Sequence, residues 1–446
     1  MQRRPLLRSA LMLMAAGAVT RALGMVYRIV IVRWAGPEAL GLFQMVMPVF
    51  RAASTMATLR LPVALTRLVA DGLARGDVEA VLRARRLTAL LIVALTGLTA
   101  AALAAGAPFL ARRFLTDPRT EGLLLLLPLA FVPSALTGIF RGFAEGRQNM
   151  TSTAVGQVAE QLVRVPIVLF LLSRWAGAGT EALAAALVIG LGAGETVGLL
   201  AAMALSGWWS LPHRATRQTA AASSLRLQLA TARQLLQVAV PLWLATLLNT
   251  AAQMLNVSLI PRRLLVGGFS MAEATELYGQ LTGMALPLLY MPMLLVFPVT
   301  TVLTPAIADA LASGRRTASQ RQFARAAGGS LAVGCGTTAL CFAFPEAISD
   351  LLYGVPEIGP LVRIVGLAAP FAYTGAVFAA VLHAVGHTNF LLSTFVAATA
   401  LRLGLIYHLT AQPALGIAGA AWALNADYAL TALLNGWACL RRLRRT

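Results

Sequence analysis

Apolar runs long enough to cross a bilayer recur from one end of this chain to the other, and nothing else in it constrains the fold so tightly. They lie near residues 7 to 33, 39 to 66, 87 to 111, 121 to 140, 150 to 172 and 181 to 206, then near 234 to 260, 277 to 303, 326 to 350, 361 to 382, 389 to 410 and 414 to 440. About 20 apolar residues in a helix span the roughly 30 Å hydrocarbon core of a bilayer. In lipid, a helix satisfies every backbone N–H and C=O within its own segment, which an open strand cannot do. The expected fold class is an all-α polytopic membrane protein of about 12 transmembrane helices. Composition agrees, because only 12% of the 446 residues are charged, against about 25% in chains that cover a water-soluble surface.

The net charge of +19 would suggest nucleic acid in a soluble chain. Here most basic residues fall in short loops between apolar runs, so topology explains them and no nucleic-acid partner is expected. Arg3, Arg4, Arg8, Arg75, Arg83, Arg85, Arg86, Arg214, Arg217, Arg226, Arg315, Arg316, Arg321 and the cluster at 441 to 445 lie on one side. Arg112, Arg113, Arg119, Arg262 and Arg263 lie on the other. The excess of arginine marks the cytoplasmic side, which places both termini in the cytoplasm. The start reads as an uncleaved first span, since its apolar pattern runs on to Trp34, past the length of a signal-peptide core. All 36 basic residues are arginine, which excludes a Walker lysine and a Schiff-base lysine. No catalytic residue, cofactor or metal is expected. Cys335, Cys341 and Cys439 lie in or at the ends of apolar runs, and the His383/His387 pair lacks a third ligand.

An internal repeat organises the spans. Leu40-Gly41 ahead of Pro48 recurs as Tyr278-Gly279 ahead of Pro287, Asp71 to Gly76 recurs as Asp309 to Gly314, and Arg164 recurs as Arg402, all at an offset of about 238 residues. Two pseudo-symmetric six-helix lobes follow, residues 1–220 and 221–446, with a basic linker near 207 to 233. Six spans per repeat give both lobes the same orientation, an arrangement that places a substrate site between them and permits alternating access.

The polar residues at membrane depth are the candidate site. An arginine at mid-bilayer costs about 2.5–3.5 kcal/mol on insertion scales, so it persists only where it faces a polar interior. Arg21 and Arg28 are seven apart on one face of the first span, and Arg51 lies at similar depth on the second. Arg60 is nine residues from Arg51, on the opposite face of an ideal helix, and is expected nearer the cytoplasmic mouth unless Pro62 redirects the chain. Asn249, Gln253 and Asn256 share a face of the seventh span. Glu160 and Arg164 are spaced as an i, i+4 pair. Glu195 and Asp427 are the remaining acids at depth, free to take a proton or to pair with Arg164 or Arg402. Arg402 has no carboxylate four residues before it, which predicts inequivalent lobes. Expected substrate contacts are Arg21, Arg28, Arg51, Asn249 and Gln253; expected gating or coupling residues are Arg60, Glu160, Arg164, Glu195, Arg402 and Asp427. The ladder Gly190, Gly194 and Gly198 reads as close helix packing.

Three stretches carry a family resemblance: GAVTRALGMVYRIVIVRWAGPEALGLFQMVMPV at 17 to 49, LPVALTRLVADGLARGD at 61 to 77 and IFRGFAEGRQNMTSTAVGQVAEQLVRV at 139 to 165. With these the chain resembles the stage V sporulation protein B group of bacterial polysaccharide and peptidoglycan-precursor exporters, in the superfamily that also holds the multidrug and toxin extrusion (MATE) transporters. The resemblance implies a V-shaped, two-lobed transporter that flips lipid-linked sugar precursors, with Arg21 and Arg51 at positions that meet a diphosphate. Many relatives have fourteen spans where this chain shows twelve, and Arg60 and Glu145 stand where relatives keep glycine and often glutamine.

The expected function is a non-enzymatic flippase, a monomer in the bacterial cytoplasmic membrane, working among membrane lipids on a lipid-linked oligosaccharide or lipid II-like substrate. Six arginines at depth against three acids leave a cavity of positive sign, suited to a diphosphate. The alternative is a cation-coupled multidrug exporter of MATE type, which would want carboxylates where the first two spans supply arginine.

Overall fold

The computed structural model describes residues 3–210 and 225–445; the side chains of residues 3–16, 18, 21, 225, 311, 316 and 443–445 lie outside the described set. Expectations that rest on the side chains of Arg3, Arg4, Arg8, Arg21 and Arg316, or on Arg214 and Arg217 of the expected linker, therefore fall outside the described residues. Among the described residues there are helices and turns only. The first half contains α1 (Arg3–Thr58), α2 (Leu61–Ala74), α3 (Val78–Phe109) with a π-helical end (Leu110–Leu115), α4 (Thr120–Leu126), α5 (Pro128–Gly146), α6 (Thr151–Arg174) and α7 (Thr180–Leu205). Then follow α8 (Leu225–Val266), α9 (Met271–Gly279), a π turn (Gln280–Ala285), α10 (Leu286–Tyr290), α11 (Phe297–Ala312), α12 (Arg316–Ala343), α13 (Pro345–Tyr353), α14 (Gly359–Gly366), α15 (Ala369–Ala384), α16 (Thr388–Leu409) and α17 (Ile417–Arg445).

Nine helical stretches among the described residues are long and apolar enough to cross a membrane, or up to 11 when each of two bent pairs counts as one span. The first stretch, Ala22–Ala74, has 53 residues, about 80 Å of helix and far more than one crossing needs. It is broken at Gly36, whose φ of 78° and ψ of 168° are not helical. Only glycine takes that φ without steric cost, and Pro37 restarts the helix with its φ already fixed. Read as two crossings joined there, this stretch supplies the twelfth span. The bent pairs, Met271–Leu295 with Phe297–Ala310 (47°) and Pro356–Gly366 with Ala369–Ala384 (43°), are broken where Pro292, Pro298 and Pro370 remove backbone donors. Tyr353 and Tyr373 donate their hydroxyls to the carbonyls of Met284 (3.2 Å) and Leu289 (2.6 Å) in the irregular stretch.

The chain divides into two compact units, Met1–Met254 and Leu255–Thr446, the boundary falling inside α8. In the first unit α7 packs against α5 and α6, and α2 against α3 and α5. In the second, α17 packs against α15 and α16, and α12 against α15. Arg85 shows how tightly the loop side of the first unit is tied. Only 9% exposed, it donates to the carbonyl of Trp208 (2.8 Å) and lies 4.5 Å from the centre of its ring, pinning the end of α7 to α3.

Candidate functional site

A break in the chain builds the site. α1 ends at Thr58, Leu59 and Arg60 adopt left-handed φ values of 46° and 58°, and α2 starts at Leu61 with Pro62 in its first turn. On one continuous helix Arg51 and Arg60 would face opposite ways. The two left-handed residues reverse that, and both arginines line one cavity of about 720 Å³ within the first unit. Its remaining wall includes Ser54 and Thr55 of α1, Ser134 of α5, Glu195 of α7, and Thr246, Asn249 and Gln253 of α8. Arg60 thus shares the cavity with Arg51, the case expected only if Pro62 redirects the chain.

Both guanidiniums bind neutral acceptors on α8. Arg51 Nη1 donates to Gln253 Oε1 (2.6 Å), and the Gln253 amide donates in turn to Asn249 Oδ1 (2.8 Å). Arg60 Nε donates to Thr246 Oγ1 (3.0 Å). Thr246, Asn249 and Gln253 fall on one face at spacings of three and four. Among the described residues neither arginine enters an ion pair. Three arginines set among the helices do: Arg141 with Glu160, Arg164 with Glu195 (3.5 Å) and Arg402 with Asp427 (2.5 Å).

These pairs overturn the expected Glu160–Arg164 pairing along one helix. α5 brings Arg141 to Glu160 and α7 brings Glu195 to Arg164, so both of these α6 charges are neutralised from a neighbouring helix. The glycine ladder makes room. A Cβ on Gly198 would lie 2.2 Å from Glu160 Oε1, and one on Gly194 would lie 3.1 Å from Arg164 Nε. The second unit repeats one of the two pairs, with Arg402 on α16 and Asp427 on α17 matching Arg164 on α6 and Glu195 on α7. The expected inequivalence therefore does not lie in Arg402 lacking a carboxylate. It lies in Arg141–Glu160, whose repeat positions hold Phe378 and Ala398.

Sequence reasoning missed Arg141, Thr246 and Ser134. Arg141 sits in the run IFRGFAEGR, where it reads as a flank, and its one signal is its place two turns inside Arg147. The other two are small hydroxyl residues in apolar helices and carry no signal of their own. Arg28 lies on α1 with a half-buried side chain and is not a lining residue of the cavity; Arg21 lies on the same helix with its side chain outside the described set.

Away from the cavity, near the break at Gly36, Arg119 forks between Asp117 (Nη2–Oδ2 2.8 Å) and Glu38 (Nη1–Oε1 2.6 Å), while Glu38 Oε2 accepts from Thr180 Oγ1 (3.1 Å). Asp117 is fully buried. Its hydrogen bond, with that of Glu38, holds the Arg119 guanidinium above its ordinary pKa against the opposing effect of burial.

Comparison with known proteins gives this arrangement its relatives. Stage V sporulation protein B of Bacillus subtilis (strain 168) is 28% identical over 98% of this chain and 83% of its own length. Lipid II flippase MurJ of the same organism is 30% identical over 38% of this chain and 32% of its own length. The fold is that of the MATE transporters: an inward-facing structure of a multidrug resistance MATE family transporter of the MOP superfamily superposes with a TM-score of 0.72 at 14% identity, covering 95% of each chain. The model of one family matches residues 6–311, more than half of the sequence, and the chain belongs to that family, the polysaccharide biosynthesis proteins.

Proposed function

We propose that this chain is a flippase that carries a lipid-linked anionic saccharide across the bacterial cytoplasmic membrane, exposing its cavity alternately to the two sides, with no enzymatic step. The observation that carries the reading is the contrast between Arg51 and Arg60, bound to neutral groups on a cavity wall, and Arg141, Arg164 and Arg402, each neutralised by a carboxylate. Two uncompensated guanidiniums, each with a planar fork of donors, suit the two phosphates of a diphosphate linkage. Asn249, Gln253 and Thr246 orient the forks and offer hydrogen bonds to sugar hydroxyls. Arg21 and Arg28 guide the anion along α1, and the pairs Arg164–Glu195 and Arg402–Asp427 act in gating. Similarity to proteins named for sporulation and for flipping lipid II supports a peptidoglycan precursor or a polysaccharide repeat unit as cargo. The arginine distribution supports cytoplasmic termini, and the sequence repeat supports six-span halves at 1–220 and 221–446. A cationic drug would meet two like charges in this cavity, which disfavours the multidrug alternative.

The test is outer-leaflet exposure of lipid-linked peptidoglycan precursor in bacteria depleted of their own flippase. The expected outcome is rescue by the wild type and loss of at least tenfold in exposure for Arg51→Ala and Arg60→Ala at equal membrane expression. Rescue undiminished in both variants removes the cavity from the mechanism.

A further inference from the structure

The same cavity wall that carries Arg51 and Arg60 also carries a carboxylate, Glu195. It is paired with Arg164 across 3.5 Å, a longer contact than the 2.5 Å of the matching pair Arg402–Asp427. An anion entering the cavity meets two charges that attract it and one that repels it. We infer that anion binding at Arg51 and Arg60 draws a proton onto Glu195, so that the saccharide diphosphate and a proton occupy the first unit together. This rests on the anionic-cavity reading above and adds to it a second, linked ligand.

The charges facing Glu195 come from every helix packed on α7. α6 contributes Arg164 and Glu160, α5 contributes Arg141 with the Ser134 hydroxyl, and α1 contributes Arg51 across the cavity, with Tyr27 and Arg28 grouped near Arg164 instead. α4 holds only Glu121, which pairs with Arg112 outside the apolar run, and the turn Trp208–Ser210 holds no titratable group. In the empty cavity Arg141, Glu160, Arg164 and Glu195 sum to zero charge. With the anion present, an ionised Glu195 faces like charge. The proton comes from bulk water, forms an O–H bond on a Glu195 oxygen, and ends the ion pair with Arg164, which retains Glu160 as a neighbour. Linkage is reciprocal: a proton that is taken up with the anion also tightens anion binding by the same factor. At a separation of about 10 Å and an effective dielectric of about 20, that factor is on the order of tenfold per opposing charge.

The experiment is calorimetric titration of the purified full chain with UDP-N-acetylglucosamine, a diphosphate diester whose charge is constant across neutral pH, in buffers of different ionisation enthalpy. Wild type is expected to take up a fraction of a proton per ligand bound and to lose about tenfold in affinity as the pH rises through the titration of Glu195. Glu195→Gln is expected to bind with no proton uptake and with the low-pH affinity at every pH, so that its own binding reports that it is folded. Binding by wild type without proton uptake, uptake unchanged in Glu195→Gln, or no binding at all by Glu195→Gln overturns the inference. Absence of binding by wild type, or binding unaffected by Arg51→Ala and Arg60→Ala, overturns the anionic-cavity reading and the inference with it.

Discussion

Arg119 joins Asp117 on one loop, Glu38 beside the break in α1 and, through Glu38, Thr180 at the start of α7. Removing its side chain takes the ion pair from a carboxylate with no exposure to water, leaving the backbone N–H of residue 119 as a donor to it (3.0 Å), and breaking a buried ion pair is among the costly outcomes of a point mutation. Arg119→Ala is expected to lower stability by about 2–4 kcal/mol, read as a lower melting temperature in detergent, and Arg119→Lys to fall between, since an ammonium cannot hold two carboxylates in one fork. Individual residues were the least legible scale in the sequence. Arg119 reads only as an external loop charge, and Arg141 as a flank, because depth and partners depend on which helix lies opposite. The candidates legible from depth alone were Arg51, Glu195 and Gln253, which sit in the middle of apolar runs where a polar side chain is otherwise unexplained.

Helical elements were the most legible scale, since hydropathy alone marks nearly all the crossings, and they failed where a helix breaks without a glycine. Gly36 and Pro37 announce the first break; Leu59 and Arg60 do not announce the second. Both hold left-handed φ values, a conformation that costs an L-residue about 1–2 kcal/mol. Pro62, just beyond, was the one available hint. Arg60→Gly separates the two contributions of this residue. Glycine relieves the backbone, so stability is expected to hold or rise by about 1 kcal/mol, while the cavity loses one of two uncompensated charges and flipping falls. A melting curve beside the exposure assay checks both, and a loss of stability equal to the loss of transport would make Arg60 a structural residue only.

Across the whole molecule, the offset of about 238 residues between repeats was plain in sequence, and Arg164 and Arg402 give it a physical counterpart, each paired with a carboxylate of the following helix although Glu195 and Asp427 do not share that offset. What the repeat could not reveal was the choice of partner for Arg164, because Glu160 on the same helix and Glu195 on the next were equally available to it, whereas the helix of Arg402 holds no carboxylate. The pair in the second unit offers a clean test of fold against function. Arg402→Ala alone is expected to destabilise by about 3–5 kcal/mol, whereas Arg402→Leu with Asp427→Leu is expected to fold with near-native stability. If the pair gates, the double variant melts normally and flips poorly; normal flipping assigns the pair to packing. One consequence of the two uncompensated guanidiniums concerns the return stroke. With a diphosphate bound, Arg51 and Arg60 are balanced, and with a proton on Glu195 the loaded carrier presents one net positive charge to the membrane field; emptied, it presents two. An inside-negative voltage acts on those at about 2.3 kcal/mol per charge per 100 mV. Voltage therefore pulls the empty cavity back toward the cytoplasm, and it resets the carrier rather than driving the cargo.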